Sequence, residues 1–81
     1  MTLKEFVEKK GLVFFDAARK ALRLSEEEAK RQVVDLLKGP EFVVVFQGKN
    51  NPVLVATREK WEQILERLWA ELSSEITKRP N

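Results

Sequence analysis

The chain has 81 residues, fifteen of them basic and thirteen acidic, for a formal charge of +2, and it contains neither cysteine nor histidine. A chain this short buries only about 60–65% of its unfolded surface, and the missing residue types remove disulfides and ordinary zinc ligands as reinforcements. A partner subunit is the remaining one, while +2 is too small a charge to create a long-range field at physiological salt or to argue for nucleic acid by itself.

The opening "MTLKEFVEKKG" lacks the apolar centre of a signal peptide, and no apolar run approaches the ~20 residues of a membrane span. The expectation is a soluble, cytoplasmic protein with one domain over residues 1–81. Charged residues are 35% of the chain and tyrosine is absent, a balance that leans towards a thermophile source. Residues 1–58 hold eleven basic and eight acidic side chains, and residues 59–81 hold four and five.

In chain order, "TLKEFVEKKG" places Thr2 and Glu5 at capping-box spacing and closes on two lysines and Gly11, which predicts a first helix. The apolar run "GLVFF" reads as a short edge strand. A second helix follows, with Phe15, Ala17, Ala18, Ala21, Leu22 and Leu24 on one half of the wheel and Arg19, Lys20 and Arg23 on the other. Ser25 and Glu28 repeat the cap spacing at the start of a third helix that stops at Gly39-Pro40. In that helix Ala29, Val33, Leu36 and Leu37 are expected to be buried. Its open side carries Glu27, Glu28, Arg31, Gln32, Asp35 and Lys38.

"EFVVVFQGKNNPVLVATR", residues 41–58, is a hairpin: two arms of alternating apolar residues joined by a polar tip. Both faces of both arms are apolar, so both must be covered. The first three helices supply one layer, with Leu12–Phe14 as a third strand at the edge. The other layer falls to a helix over about 58–77, capped by Thr57, with Trp61, Ile64, Leu65, Leu68, Trp69, Leu72 and Ile76 within about 140° of arc. At ~28 Å it is longer than the body needs. Those seven residues are therefore the expected homodimer interface, the helix packing partly on the hairpin and partly on a twin.

Helix, short strand, helix, helix, two-stranded wing and long carboxy-terminal helix make an α+β chain that resembles the winged helix-turn-helix superfamily of small archaeal and bacterial regulators. The resemblance rests on element order and length over nearly the whole chain. It implies that the third helix recognises double-stranded DNA, that "QGKNN", residues 47–51, is the wing tip, and that a flanking helix makes the dimer. On that basis Arg19, Lys20, Arg23, Lys49, Asn50, Asn51 and Arg58 are candidate phosphate or groove-edge contacts, and Arg31, Gln32 and Lys38 would face the major groove. Gly48 and the asparagines also suit an ordinary soluble turn.

The acids in the first turn of the third helix complement its dipole without further purpose, and they oppose a groove-reading role. This supports an alternative, a winged-helix protein-interaction or assembly module without DNA binding, in which that acidic face docks a basic partner. Trp61 and Trp69 suit core or dimer packing better than base stacking, since glutamates flank them. No nucleophile–base pair or glycine-rich phosphate loop is present, and Glu26 to Glu28 point about 100° apart on a helix and cannot converge on a cation. The chain is expected to be no enzyme and to need no cofactor, metal, membrane or small-molecule ligand.

Overall fold

The computed structural model describes residues 1–78. They form four helices and a three-stranded antiparallel sheet in the order α1 (Leu3–Lys10), β1 (Leu12–Phe14), α2 (Phe15–Leu22), α3 (Glu26–Leu37), β2 (Phe42–Phe46), β3 (Pro52–Thr57) and α4 (Arg58–Lys78).

The cap at the head of α1 is reciprocal. Thr2 Oγ1 accepts from the Glu5 N–H at 3.2 Å, and the Glu5 carboxylate accepts from the Thr2 N–H at 3.1 Å, which satisfies two donors that a helix start otherwise leaves open. The helix ends on Gly11 at φ +84°, a conformation that a Cβ would oppose. At α3, Ser25 Oγ accepts from the Glu28 N–H at 3.1 Å. The Glu28 carboxylate turns instead to Arg31 and Gln32, so the expected box is half made. Between α2 and α3 the chain reverses through Arg23, a non-glycine residue at φ 55°. The Leu24 N–H donates to the Arg19 carbonyl at 3.0 Å, which closes the end of α2.

β3 is the central strand, with β1 on one side and β2 on the other. Val13, Val55 and Val44 lie opposite one another in register. They turn towards α1–α3, where Leu3, Val7, Phe15, Ala18, Ala29, Val33, Leu36 and Phe42 complete the core. Leu3, Val7, Val33 and Val55 are the largest side chains with essentially no exposure. Burying each contributes roughly 1.5–3 kcal/mol, a large share of the net stability of a chain this small.

The adjacent register rows, Leu12, Ala56 and Val43, then Phe14, Leu54 and Val45, turn to the opposite face by strand alternation. Ala56 stands outside the core cluster yet is fully buried. Its cover is the start of α4, which contacts β2 and β3 and carries the half-buried Trp61 and Ile64. The Thr57 hydroxyl caps this helix by accepting from the Lys60 N–H at 3.2 Å. The carboxy-terminal helix therefore seals the second face only near its root, and Phe14 remains 60% exposed. Further along α4, Leu65, Leu68, Trp69, Leu72 and Ile76 are exposed. The molecule measures 52 × 25 × 23 Å, consistent with a 21-residue helix of about 31 Å that outruns the body.

One expected burial is corrected. Leu37 is 48% exposed, and on the apolar half of the α2 wheel Ala17 and Ala21 are exposed as well. In α3 the core takes a narrower stripe, Ala29, Val33 and Leu36. Leu37 lies about 80° round the wheel from Ala29, beside Val34, and faces away from it.

Candidate functional site

The hairpin tip spans Gln47 to Asn51, all of them exposed. It is closed by the Gln47 N–H donating to the Asn51 carbonyl at 2.8 Å, and Gly48 turns the chain at φ +77°. The pairing slips between Val45 and Phe46, so Phe46 faces Pro52 and the tip bends relative to the arms. A cleft of about 510 Å³ lies between this tip and α3. Val33, Val34 and Leu37 of α3 and Phe46 and Pro52 of the hairpin make its apolar walls, and Lys30, Lys49 and Asn50 make its polar rim. Lys30 was not among the expected site residues. Its signal was the spacing Lys30, Val33, Val34, Leu37, a second helical face beside the core stripe.

The cations assigned to a nucleic-acid surface divide into three groups. Lys20, Arg23 and Lys49 are exposed and, among the described residues, enter none of the ion pairs. Arg31 and Lys38 are exposed on α3 but each is held by an acid of its own helix, Glu28 at 3.1 Å and Asp35 at 3.5 Å. Lys30 is paired in the same way with Glu26 at 3.3 Å. Exposed pairs of this kind contribute about 0–1 kcal/mol, so a phosphate can displace the acid at little cost.

The remaining candidates, two arginines and one glutamine, are engaged by backbone groups of their own fold. Arg19 lies along the α2–α3 turn, where Nη1 approaches the Leu24 carbonyl at 3.5 Å and Nε stands 4.0 Å from Asp16 Oδ1. At that distance the contact with Asp16 is an ion pair and no hydrogen bond, and Nε is buried without a hydrogen-bond partner. Arg58 anchors the hairpin base: its Nε donates to the Pro40 carbonyl, and its backbone N–H donates to Glu41 at 2.8 Å. Gln32 is half-buried, and its Oε1 accepts from the Leu3 N–H at 2.8 Å, tying α3 to the start of α1. These three serve turns and packing. The structure brings Lys49 and Asn50 together with Lys30, places Asn51 at the base of the tip, and leaves Lys20 and Arg23 on α2 and its C-cap.

A second cleft, of about 470 Å³, runs between the head of α1 and the end of α3. Its charged lining, Lys4, Asp35 and Glu41, is of mixed sign and does not converge on one ligand type. Among the described residues no group of three or more acidic, histidine or cysteine side chains could hold a metal ion, and no helix is long and apolar enough to cross a membrane. Comparison with protein-family models, curated proteins and solved structures finds no match.

Proposed function

We propose that this chain is a double-stranded DNA-binding protein of the winged helix-turn-helix kind acting as a homodimer, a transcriptional regulator or a small chromosome- or virus-associated factor. The observation that carries the reading is the convergence of the hairpin tip and α3 on one rim, where Lys49 and Asn50 stand beside Lys30. A tip that projects a cation beside the middle of a helix suits a duplex, whose phosphates line both sides of the groove that such a helix enters. Lys20 and Arg23 are two further exposed cations, on α2 and at its C-cap.

Counting only the unpaired cations Lys20, Arg23 and Lys49, a dimer offers six phosphate contacts, which implies a slope of log K against log salt of about −5.4. Fluorescence anisotropy of a labelled duplex between 50 and 200 mM salt measures it. A steep loss of affinity supports the reading. Absence of binding at the lowest salt, or binding indifferent to salt, refutes it.

One observation favours a protein-interaction module instead. Val34 is 53% exposed on α3, and with Leu37 and Phe46 it gives the cleft an apolar floor, which is more typical of a docking surface for another protein than of a phosphate-facing helix. Val34→Lys separates the two: it strengthens duplex binding on the first reading and abolishes partner binding on the second.

A further inference from the structure

β2 lies at an edge of the sheet, with β3 on its inner side and, among the described residues, no strand beyond it. Its residues, Phe42-Val43-Val44-Val45-Phe46, are all aromatic or β-branched, carry no charge, and read the same in both directions. Soluble proteins usually blunt such an edge with a lysine, a proline or an inward-pointing charge. This strand has none of the three. The slip in its pairing with β3 falls at the tip end, past Val45, and leaves the middle of the strand regular.

Hydrogen bonds at the two ends of the hairpin fix which backbone groups of β2 face out. The Arg58 N–H donates to the Glu41 carbonyl at 2.8 Å, while the Thr57 N–H turns the other way and donates to Gly11 on the β1 side. Such bonds alternate along an antiparallel ladder. With Phe42 opposite Thr57 and Val43 opposite Ala56, it follows that Glu41, Val43 and Val45 turn their backbone groups to β3. The Gln47 N–H bonds inward as well, to Asn51. Phe42, Val44 and Phe46 therefore turn theirs outward, and among the described residues nothing bonds to the outward groups of Phe42 and Val44. A row of unmet donors and acceptors between apolar side chains is a template for one more strand.

The strand that fits this edge is its own copy. Antiparallel pairing about a two-fold axis at Val44 sets Val44 against the partner's Val44, Phe42 against the partner's Phe46 and Val43 against the partner's Val45. Every row is then valine on valine or phenylalanine on phenylalanine, cross-strand pairs of the kind that stabilise sheets. Just outside, Glu41 falls opposite the partner's Gln47, so no like charges meet. Moving the register by two residues either way leaves a phenylalanine of each copy without its match.

We infer that two copies join edge to edge through β2, with the two-fold at Val44, so that the three strands of each make one continuous sheet. This goes beyond the homodimer proposed above, which pairs through α4, and it needs no DNA. Both contacts are isologous, so a chain that uses both assembles beyond two copies. One short strand edge buries less than the about 800 Å² per partner of a stable interface. The edge contact is therefore the weaker of the two and joins molecules already brought close together.

Amide exchange of the unaltered chain, followed by NMR when dilute and at millimolar concentration, tests the inference. Val44 is the reporter, because its N–H has no acceptor in its own chain. The expected result is exchange at Val44 slowed by about tenfold or more at the higher concentration, with Val43 and Val45 protected at both. The chain has no cysteine of its own, so Val43→Cys and Val45→Cys are also made, on chains with tags of different size. Across the junction these positions form a non-hydrogen-bonded pair with Cα atoms about 4.5 Å apart, inside the about 7 Å that a disulfide spans. Each lies two positions along the strand from its own copy, so oxidation cross-links the mixture and neither variant alone. A Val44 amide that exchanges freely at both concentrations overturns the inference, and so does one protected equally at both with no cross-link in the mixture. Cross-linking of either variant with itself in preference to the mixture overturns the antiparallel register and the inference with it. Neither readout reports on α4, so failure here leaves the homodimer standing. A monomer mass for the dilute, unaltered chain overturns that homodimer and leaves the edge contact to the exchange and cross-linking results.

Discussion

Trp69 is the largest side chain in the exposed stripe, and its replacement by alanine measures what the stripe does. At 73% exposure it leaves about 180 Å² in water, given roughly 250 Å² for a tryptophan. At 25 cal/mol per Å² its complete burial is worth about 4.5 kcal/mol per copy. Alanine retains part of that area, and a seam does not dehydrate all of it, so a loss of about 2 kcal/mol per copy is the expectation, within the range of interface hot spots. Two copies lose about 4 kcal/mol, close to a thousandfold in Kd. Sedimentation equilibrium across concentration reads that shift directly. Because Trp69 lies beyond the part of α4 that touches the sheet, the Trp69→Ala monomer keeps its fold, and its circular dichroism is that of the parent. An unchanged Kd refutes self-association through the stripe. A loss of folded structure in the monomer would mean that Trp69 packs within its own chain.

Three further outcomes follow from the site. Lys49→Gln removes one unpaired cation per copy, so the salt slope of duplex binding in the anisotropy titration should fall by about 1.8 per dimer; an unaltered slope takes the hairpin tip off the DNA surface. Gln32→Ala leaves the Leu3 N–H without its acceptor and should cost about 1–3 kcal/mol in a urea titration, with duplex affinity preserved where the fold is intact; the opposite pattern would restore a base-reading role to Gln32. The backbone N–H and then the hydroxyl of Thr2 hold the Glu5 carboxyl below its ordinary value. A folded pKa lowered in this way contributes stability that is present above the unfolded value and is lost as pH falls through the folded one. A carboxyl NMR titration should therefore find Glu5 below the usual glutamate value and moving only part of the way back in Thr2→Ala, which removes the hydroxyl and keeps the N–H, and an ordinary titration in the parent chain contradicts the reciprocal cap.

Much of the fold was legible because local chemistry and long-range packing agree. Thr2, Ser25 and Thr57 cap the helices that their spacing implied, and Gly11 ends α1. The strand assigned to Leu12–Phe14 pairs at the sheet edge, antiparallel to β3. Reading failed where residue type does not reveal geometry. Leu37 looks like core, yet it sits with Val34 on the side of α3 that faces the cleft. Alanines 17 and 21 have too little surface to force burial. Arginines 19 and 58 look like free cations in a sequence, but carbonyls of the turns at Leu24 and Pro40 capture them. Such acceptors exist only once the backbone has folded, and no side-chain pattern announces them. Lys30 was missed for the converse reason: its place beside the hairpin tip exists only in the folded chain, where it also pairs with Glu26 one turn earlier.

Gly11 has a wider reach than its size suggests. Its carbonyl accepts the Thr57 N–H at 2.8 Å, and a Cβ at position 11 would stand 3.3 Å from Lys60 Cγ. One hydrogen-only position therefore sets the angle at which the long rod leaves the body. A lever of about 31 Å converts a tilt of 10° at its root into a displacement of about 5 Å at its far end. The distance between the two hairpin tips of a paired molecule would then be tuned from this remote joint, without altering any residue at either tip.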